Sequence, residues 1–440
     1  MTFDFENCPF SPPQTWIPDE EERWWANCYL PHLSESALHD SPQWLILRGG
    51  YQSGKTTALS ALRRARSQNA LVLIKDFAIE VLTSEPPTNI LLWIMRTASW
   101  DLREYLSRRP ELIHTLSQTQ REFLRWAIEK FHKTRAFARW LDGLPSAAAQ
   151  ELQEIPFIDL YPTQTTTYDV QGQIEELVNL CTRLGFQQVL VTVDVPPFPE
   201  LQIVKEIDSF LGWLEPMQHP QLQLVLALPP DFCNPERLKL TRGRVKIIDI
   251  SPSNRHTQTT IHRYLTTATN GNIQQIEQLC TKALFEQLNS FILQEFDSPV
   301  VGAWVKFLQI ILERAKHWVE GGKTLPLEGA CFNGMVREYC RHYLPLKKAA
   351  DDNHLGVWRG HRWIRLDRSS YDFLMLLFRS RGHPIDHIHT QTKKSNLHTL
   401  ARRLRVAIEP IPSDPVYVQN IRGEGYWLEY FKSDQSYQED

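Results

Sequence analysis

The stretch Leu45-Ile46-Leu47-Arg48-Gly49-Gly50-Tyr51-Gln52-Ser53-Gly54-Lys55-Thr56-Thr57 decides how the chain is read. A short apolar run ends in a glycine-rich turn, and a helix-forming segment follows. The spacing G-x-x-x-x-G-K-T is that of a phosphate-binding P-loop. The chemistry explains the residue types. Gly49 and Gly54 let the backbone turn tightly enough to aim several N–H groups at one anion. The helix starting near Lys55 adds its positive dipole end. Lys55 is placed for the β- and γ-phosphates and the Thr56 hydroxyl for Mg²⁺. The binding set predicted from the loop is Gly49, Gly50, Gln52, Ser53, Gly54, Lys55, Thr56 and Thr57.

Outward from the loop, Trp44–Leu47 reads as the first strand and Lys55–Arg66 as the helix after it. Leu71–Ile74 reads as a second buried strand. Residues 88–142 follow a helical pattern and predict an all-helical insertion, and residues 142–170 read as irregular. Ile174–Leu184 is a helix leading to Gln188-Val189-Leu190-Val191-Thr192-Val193-Asp194, an apolar strand that ends in an acid. An aspartate at the carboxyl end of a buried strand downstream of a P-loop can hold the water shell of Mg²⁺. Asp194 and Thr56 are therefore the predicted metal residues, and Lys55 and Asp194 the predicted catalytic ones. A helix at Leu201–Leu214 and strands at Leu222–Leu228 and Val245–Ile250 complete a parallel sheet covered by helices on both faces. Residues 253–345 read as a helical lid.

The chain of 440 residues is long enough for roughly two to four domains. Its net charge of −3 excludes a wholly polybasic nucleic-acid binder, so any basic surface must be local. No apolar run reaches membrane-spanning length, which predicts no membrane partner. The start, Met1-Thr2-Phe3-Asp4-Phe5-Glu6, lacks the pattern of a secretory signal. Seven scattered cysteines without a C-x-x-C pair fit a reduced, cytoplasmic setting. Residues 1–35 read as an N-terminal extension, proline-rich over 1–18 and then a short amphipathic segment opened by Asp19–Glu22, whose Trp24, Trp25 and Tyr29 either pack on the next domain or cover a nucleotide base.

Beyond a polar linker at 346–353 the composition changes. Between His354 and Tyr430 there are twelve Lys/Arg against seven Asp/Glu, a basic excess on an otherwise acidic chain. His354–Leu366 alternates as in an antiparallel sheet, Ser369–Arg379 is a helix, Pro384–His389 a second short one and Ser395–Ile408 a third. Pro415–Leu428 reads as a hairpin. Lys393, Lys394, Asn396, His398, Thr399, Arg402 and Arg403 fall along the third helix and its approach. A helix fits the major groove, where Asn pairs with adenine and Arg with guanine. Arg422, at the hairpin, suits the minor groove or a phosphate. Arg405 faces either a phosphate or an internal carboxylate.

The block from about Leu30 to Leu284 resembles the STAND and Orc-like (AAA+-related) branch of P-loop ATPases. The glycine loop, the strand ending at Asp194 and Thr269-Asn270-Gly271-Asn272-Ile273-Gln274-Gln275 carry the resemblance. The block His354–Tyr430 resembles the winged-helix DNA-binding domain of OmpR/PhoB-type response regulators, most clearly in Ile421-Arg422-Gly423-Glu424-Gly425-Tyr426. Together these imply an α/β P-loop NTPase core at 36–252, with the helical insertion and lid, and a winged helix-turn-helix at 354–432 before a tail at 433–440. They also imply ATP and Mg²⁺ as cofactors, double-stranded DNA as partner, and self-association on nucleotide binding. Three departures point to binding rather than efficient hydrolysis. Val195-Pro196-Pro197 follows Asp194 in place of a second acid. Pro229-Pro230 ends the strand after Leu228. Gln274 stands where the lid arginine is expected. Without such groups the charge developing on the phosphoryl is poorly stabilised. Glu200 or Asp231 are the candidate replacement acids, and Arg242 and Arg244 are a γ-phosphate sensor, an intersubunit finger or an ordinary exposed basic pair. The expected function is an ATP-binding signal-transduction regulator of transcription with slow ATPase activity at most. The alternative is an NTPase of a mobile-element or antiviral conflict system with the winged helix as adaptor.

Overall fold

The computed structural model describes residues 44–56, 58–59, 62, 70–76, 88–132, 134–161, 167–195, 219–230, 245–250, 254–269, 271–296, 300–348, 355–386 and 394–429. They fall into two compact units that divide between Ser251 and Pro252. The expectations for residues 1–43, for the helix at Leu201–Leu214, for Glu200, Asp231, Arg242 and Arg244, and for Thr57 and Lys393 lie outside the described residues.

The first unit is built on five parallel strands. These are β1 (Trp44–Arg48), β2 (Ala70–Asp76), β3 (Gln188–Asp194), β4 (Leu222–Leu228) and β5 (Val245–Asp249), in the order β2-β3-β4-β1-β5. β4 is buried at every position, and β1 at all but its last, as strands covered on both faces must be. Alternate residues settle which face each serves. Trp44 and Ile46, Val189, Val191 and Val193, and Leu222, Leu224, Leu226 and Leu228 join one apolar cluster. Leu45, Leu47, Leu190, Val225 and Ala227 point to the other face and are buried as well.

The helices between β2 and β3 form the first of those layers. They are α1 (Thr88–Arg108), α2 (Gln118–His132), α3 (Thr134–Asp142), α4 (Ser146–Gln153) and α5 (Thr167–Arg183). Met95, Leu102, Phe123, Trp126, Ile174 and Leu177 from these helices share the cluster with the strands. The helical insertion is thus part of the core. Residues 142–170, read from the sequence as irregular, contain α4, whose Ala148 and Leu152 are buried in the same cluster. Its short, polar sequence shows little apolar periodicity, and packing rather than propensity holds it.

The second unit starts with α6 (Asn254–Ala268), α7 (Lys282–Phe296), α8 (Val301–Glu320) and α9 (Phe332–Tyr343). Two aromatic stacks join the last three: Phe307 lies on Tyr339 with ring centroids 4.2 Å apart, and Phe285 on Trp304 at 4.7 Å. The chain then passes into β6 (Leu346–Lys348), β7 (Gly356–Arg359) and β8 (Arg362–Arg365), an antiparallel sheet in that order. The first residues of the expected polar linker at 346–353 are therefore an edge strand, with Leu346 buried against the module.

Helix α10 (Arg368–Arg379) follows, capped by Asp367, whose carboxylate accepts from the Ser370 backbone N–H at 3.0 Å. Helix α11 (Lys394–Ile408) packs on α10. The hairpin of β9 (Val418–Ile421) and β10 (Gly425–Leu428) closes the unit. The short helix expected at Pro384–His389 does not form over its described part. Ile385 instead exchanges hydrogen bonds with Tyr426, at 2.7 and 2.9 Å, as an extra extended segment beside β10. Gly425 permits this approach: its φ is +118°, and a side chain there would collide with the Ile385 carbonyl.

Candidate functional site

The glycine loop sits at the carboxyl end of β1, between the ends of β4 and β5. Two ladder bonds fix its start. Gly49 donates to the Leu228 carbonyl at 3.2 Å, and Ile250 donates to the Arg48 carbonyl at 2.7 Å. A bidentate ion pair adds to them: Arg48 meets Asp249 directly across the β1–β5 register, at 2.5 and 2.7 Å. The guanidinium holds the Asp249 carboxyl below the usual carboxylate range. Sequence reading missed this pair, although opposite charges at the ends of two apolar strands were a usable signal.

Within the loop the chain turns through two left-handed residues, Gln52 at φ +60° and Gly54 at φ +99°. A left-handed conformation is uncommon for a non-glycine residue such as Gln52, and its presence marks a constrained turn. Gly49 cannot carry a side chain, because a Cβ would lie 2.4 Å from the Ser53 hydroxyl and 3.0 Å from the Ile250 carbonyl. The backbone is helical at 55–56 and again at 58–59 and 62, with Ala58, Leu59 and Leu62 buried.

The side chains converge as the motif requires. Lys55 is 8% exposed, and its Nζ donates to the carbonyls of Gly49 and Gly50, each at 2.8 Å. The ammonium is thus held over the inside of the turn. The Thr56 hydroxyl donates to the Asp194 carboxylate, although 138 residues separate them and β4 lies between their strands. The hydroxyl of Ser53 is buried without a hydrogen-bond partner among the described residues, an orphaned polar atom lining the same turn. A tight glycine turn, a buried ammonium and a hydroxyl–carboxylate pair are the donor set that a triphosphate with a hard divalent cation needs. These residues fit such a group.

The departures from the motif have structural reasons. Val195, where a second acid was sought, is 3% exposed, and its N–H donates to the Ala227 carbonyl at 3.0 Å. Pro229 is buried at the end of β4, while the Leu228 carbonyl before it serves the loop. Gln274 belongs to the second unit, where its N–H donates to the Gln278 side chain at 2.8 Å.

In the second unit, α11 has a buried side formed by Leu397, Ala401, Leu404 and Ile408. Asn396, His398, Thr399, Arg402, Arg403 and Val406 are exposed, and so is Arg422 in the β9–β10 turn. Lys394 opens the helix. Two of the basic residues are tied inward. His398 Nδ1 lies 2.6 Å from the Tyr426 hydroxyl, joining α11 to the hairpin. Arg405 donates to the Val418 carbonyl at 2.8 Å and lies over the Tyr426 ring, so it serves the fold rather than solvent.

Two buried acids were not foreseen. Glu409 accepts from the backbone N–H groups of Val416, Tyr417 and Val418, which pins the start of the hairpin to the end of α11. Burial holds its carboxyl above the usual carboxylate range, and the three N–H bonds offset only part of that rise. Glu295 of α7 forms a buried ion pair with Arg359 of β7, whose other arm donates to the Ile408 carbonyl at 2.8 Å. The Tyr417 hydroxyl donates to the Leu344 carbonyl at 2.6 Å, and Arg337 and Arg341 pair with Asp414 and Glu429. The helices and the C-terminal module are therefore locked together inside one unit.

No family model matches the chain, and no curated protein does. Among solved structures, the chain is similar to the crystal structure of Cdc6p from Pyrobaculum aerophilum. That alignment covers 97% of this chain and 95% of the other, at 14% identity and a TM-score of 0.38.

Proposed function

We propose that this chain is a regulator that binds ATP with Mg²⁺ at the loop 49–57 and passes the state of that site to duplex DNA through a C-terminal winged helix. The meeting of Lys55, Thr56 and Asp194 at one glycine turn carries the reading. The core is assigned to 36–252, the lid to 253–345 and the winged helix to 354–432. Helix α11 is the groove-reading element, with Asn396, Thr399, Arg402 and Arg403 toward bases and phosphates. Arg422 sits at the wing, and Lys393 and Lys394 stand at the approach. The exposed polar and basic face of α11 supports this assignment. The role is transcriptional, exercised in the cytoplasm, and nucleotide binding favours self-association, which places more than one winged helix on a duplex. The buried Val195 beside Asp194 supports a slow switch over rapid turnover.

The test is binding of the full chain to genomic duplex fragments, followed by fluorescence polarisation with and without Mg-ATP. Nucleotide should change both DNA affinity and sedimentation, and Lys55→Ala should abolish the change. Replacing Arg402 or Arg403 with Ala should reduce the slope of log affinity against log salt by about 1 for each phosphate left without its cation. DNA affinity and oligomeric state that ignore both nucleotide and Lys55→Ala would refute the proposal.

A further inference from the structure

We propose that the outer edge of β8 takes up an extended acidic peptide segment of a partner protein as a fourth strand of the β6–β7–β8 sheet. The inference stands independently of the nucleotide site. Strand β8 is an edge of its sheet, paired only with β7 among the described residues. A two-residue turn, Gly360-His361, joins β7 to β8, and Arg359 pairs with Arg362 across it. In such a hairpin the closing pair is hydrogen-bonded, and every second pair after it. The ladder obeys this parity as far as Leu366, whose N–H donates to the Leu355 carbonyl at 2.9 Å. The in-between residues, Trp363 and Arg365, therefore aim their backbone N–H and C=O groups away from β7. Neither finds a partner on that side among the described residues.

A cavity of about 370 Å³ runs along this edge. Its lining includes Arg362 and Ile364 from one face of β8, and Trp363 and Arg365 from the other. Four consecutive residues of a strand, whose side chains alternate between faces, share one cavity where the backbone edge itself is open to it. The far walls come from the ends of α7 and α11, so an incoming strand would be covered rather than left in water. The volume lies within the range of ligand clefts, about 300–1,000 Å³.

Charge selects the occupant. Both carboxylates in the wall are already engaged, Glu295 with Arg359 and Glu409 with three backbone N–H groups. Among the described residues Arg365 has no ion pair, and Arg362 has a single bond of 3.3 Å to the Gln294 carbonyl. The rim therefore presents positive charge beside unpaired strand donors and acceptors. Main-chain bonds supply affinity in such strand addition, and alternate side chains supply selectivity. An extended segment with carboxylates at alternate positions satisfies both.

The test uses the full chain and a fluorescein-labelled octapeptide of alternating Glu and Val. Controls are the same peptide with Lys for Glu, and with N-methyl groups on alternate amides. The acidic peptide should bind at least tenfold more tightly than either control. Arg365→Gln, which keeps the backbone N–H, should weaken it several-fold. Arg365→Pro, which also removes an N–H that β7 does not use, should weaken it by tenfold or more with an unchanged melting curve. Equal binding of the N-methylated peptide would overturn the proposal, as would equal binding of the Lys peptide. So would Arg365 variants that lower duplex-DNA affinity and spare peptide binding, which would assign the rim to nucleic acid. A concentration-dependent dimer that Arg365→Pro abolishes would also overturn it, giving the edge to a second copy of the chain.

Discussion

The Thr56 hydroxyl and the Asp194 carboxylate meet across the full width of β4, so the acid two strands away from the glycine loop is held at the hydroxyl that ends the loop. Asp194→Asn removes the anion but keeps the shape. Affinity for a fluorescent ATP analogue measured with Mg²⁺ should fall about tenfold, the equivalent of 1.4 kcal/mol. Without Mg²⁺ it should change little. Equal losses in both conditions would mean that Asp194 does not act through the cation.

Lys55→Ala takes the donor from the Gly49 and Gly50 carbonyls as well as the cation from the proposed phosphate site. A hydrogen bond to a charged group contributes about 1.5–3 kcal/mol, so calorimetric ATP affinity should drop by roughly 10- to 150-fold. Lys55→Arg should not restore it, because the buried space between two carbonyls takes a compact ammonium rather than a planar fork.

Breaking the Arg359–Glu295 pair from one side leaves a buried charge alone. Arg359→Met or Glu295→Leu should each destabilise the second unit by about 3–5 kcal/mol in urea melts. The double variant should recover most of that loss. Additive losses would show that each side chain matters through other neighbours.

Glu409→Gln substitutes an NH₂ group for one of two oxygens that both accept from backbone N–H groups. Two donors would then face each other in a buried place, at a cost of about 1–3 kcal/mol. The loss should appear in the same melts, with faster amide exchange at Val416–Val418.

His132 ties α2 to α1 through the Ser99 hydroxyl and the Arg96 carbonyl. Burial holds its imidazole below its ordinary range, with the nearby Arg103 and Arg96 charges acting the same way. The folded state therefore favours neutral imidazole, while the unfolded chain takes up a proton below about pH 6.5. Stability of the first unit should decline as pH falls from about 6.5 and level off below the folded value. His132→Asn should flatten that part of the melting-temperature profile relative to the unaltered protein.

The loop and Asp194 were legible because their signals are local: a fixed spacing, and an acid ending an apolar strand. The five strands were legible as apolar runs between turn residues. What the sequence hid depends on distant partners. Helix α4 has little periodicity of its own and is held by a core that already exists around it. Ile385 lies in a segment that reads as helical, but pairing with Tyr426 overrides the local preference. Leu346–Lys348 looks like linker until β7 stands beside it. Arg359 and Glu295 are 64 residues apart, and neither type is ordinarily buried. Glu409 differs, since its three donors follow within nine residues. An acid just past a helix end and just before a strand was a readable capture site.

Helix α9 ends at Tyr343 and β6 begins at Leu346, so almost no free chain separates the helical block from the C-terminal module. Its attachment has the character of a joint welded at Leu344, Arg359 and Tyr417. A module on a tether would tolerate operators whose two halves lie at varied distances. One fixed to its neighbour would not. Under the proposed DNA-binding role, two copies joined through their helical blocks would accept a single half-site spacing and its whole-turn repeats of about 10–10.5 base pairs, and inserting half a turn between the halves would defeat them.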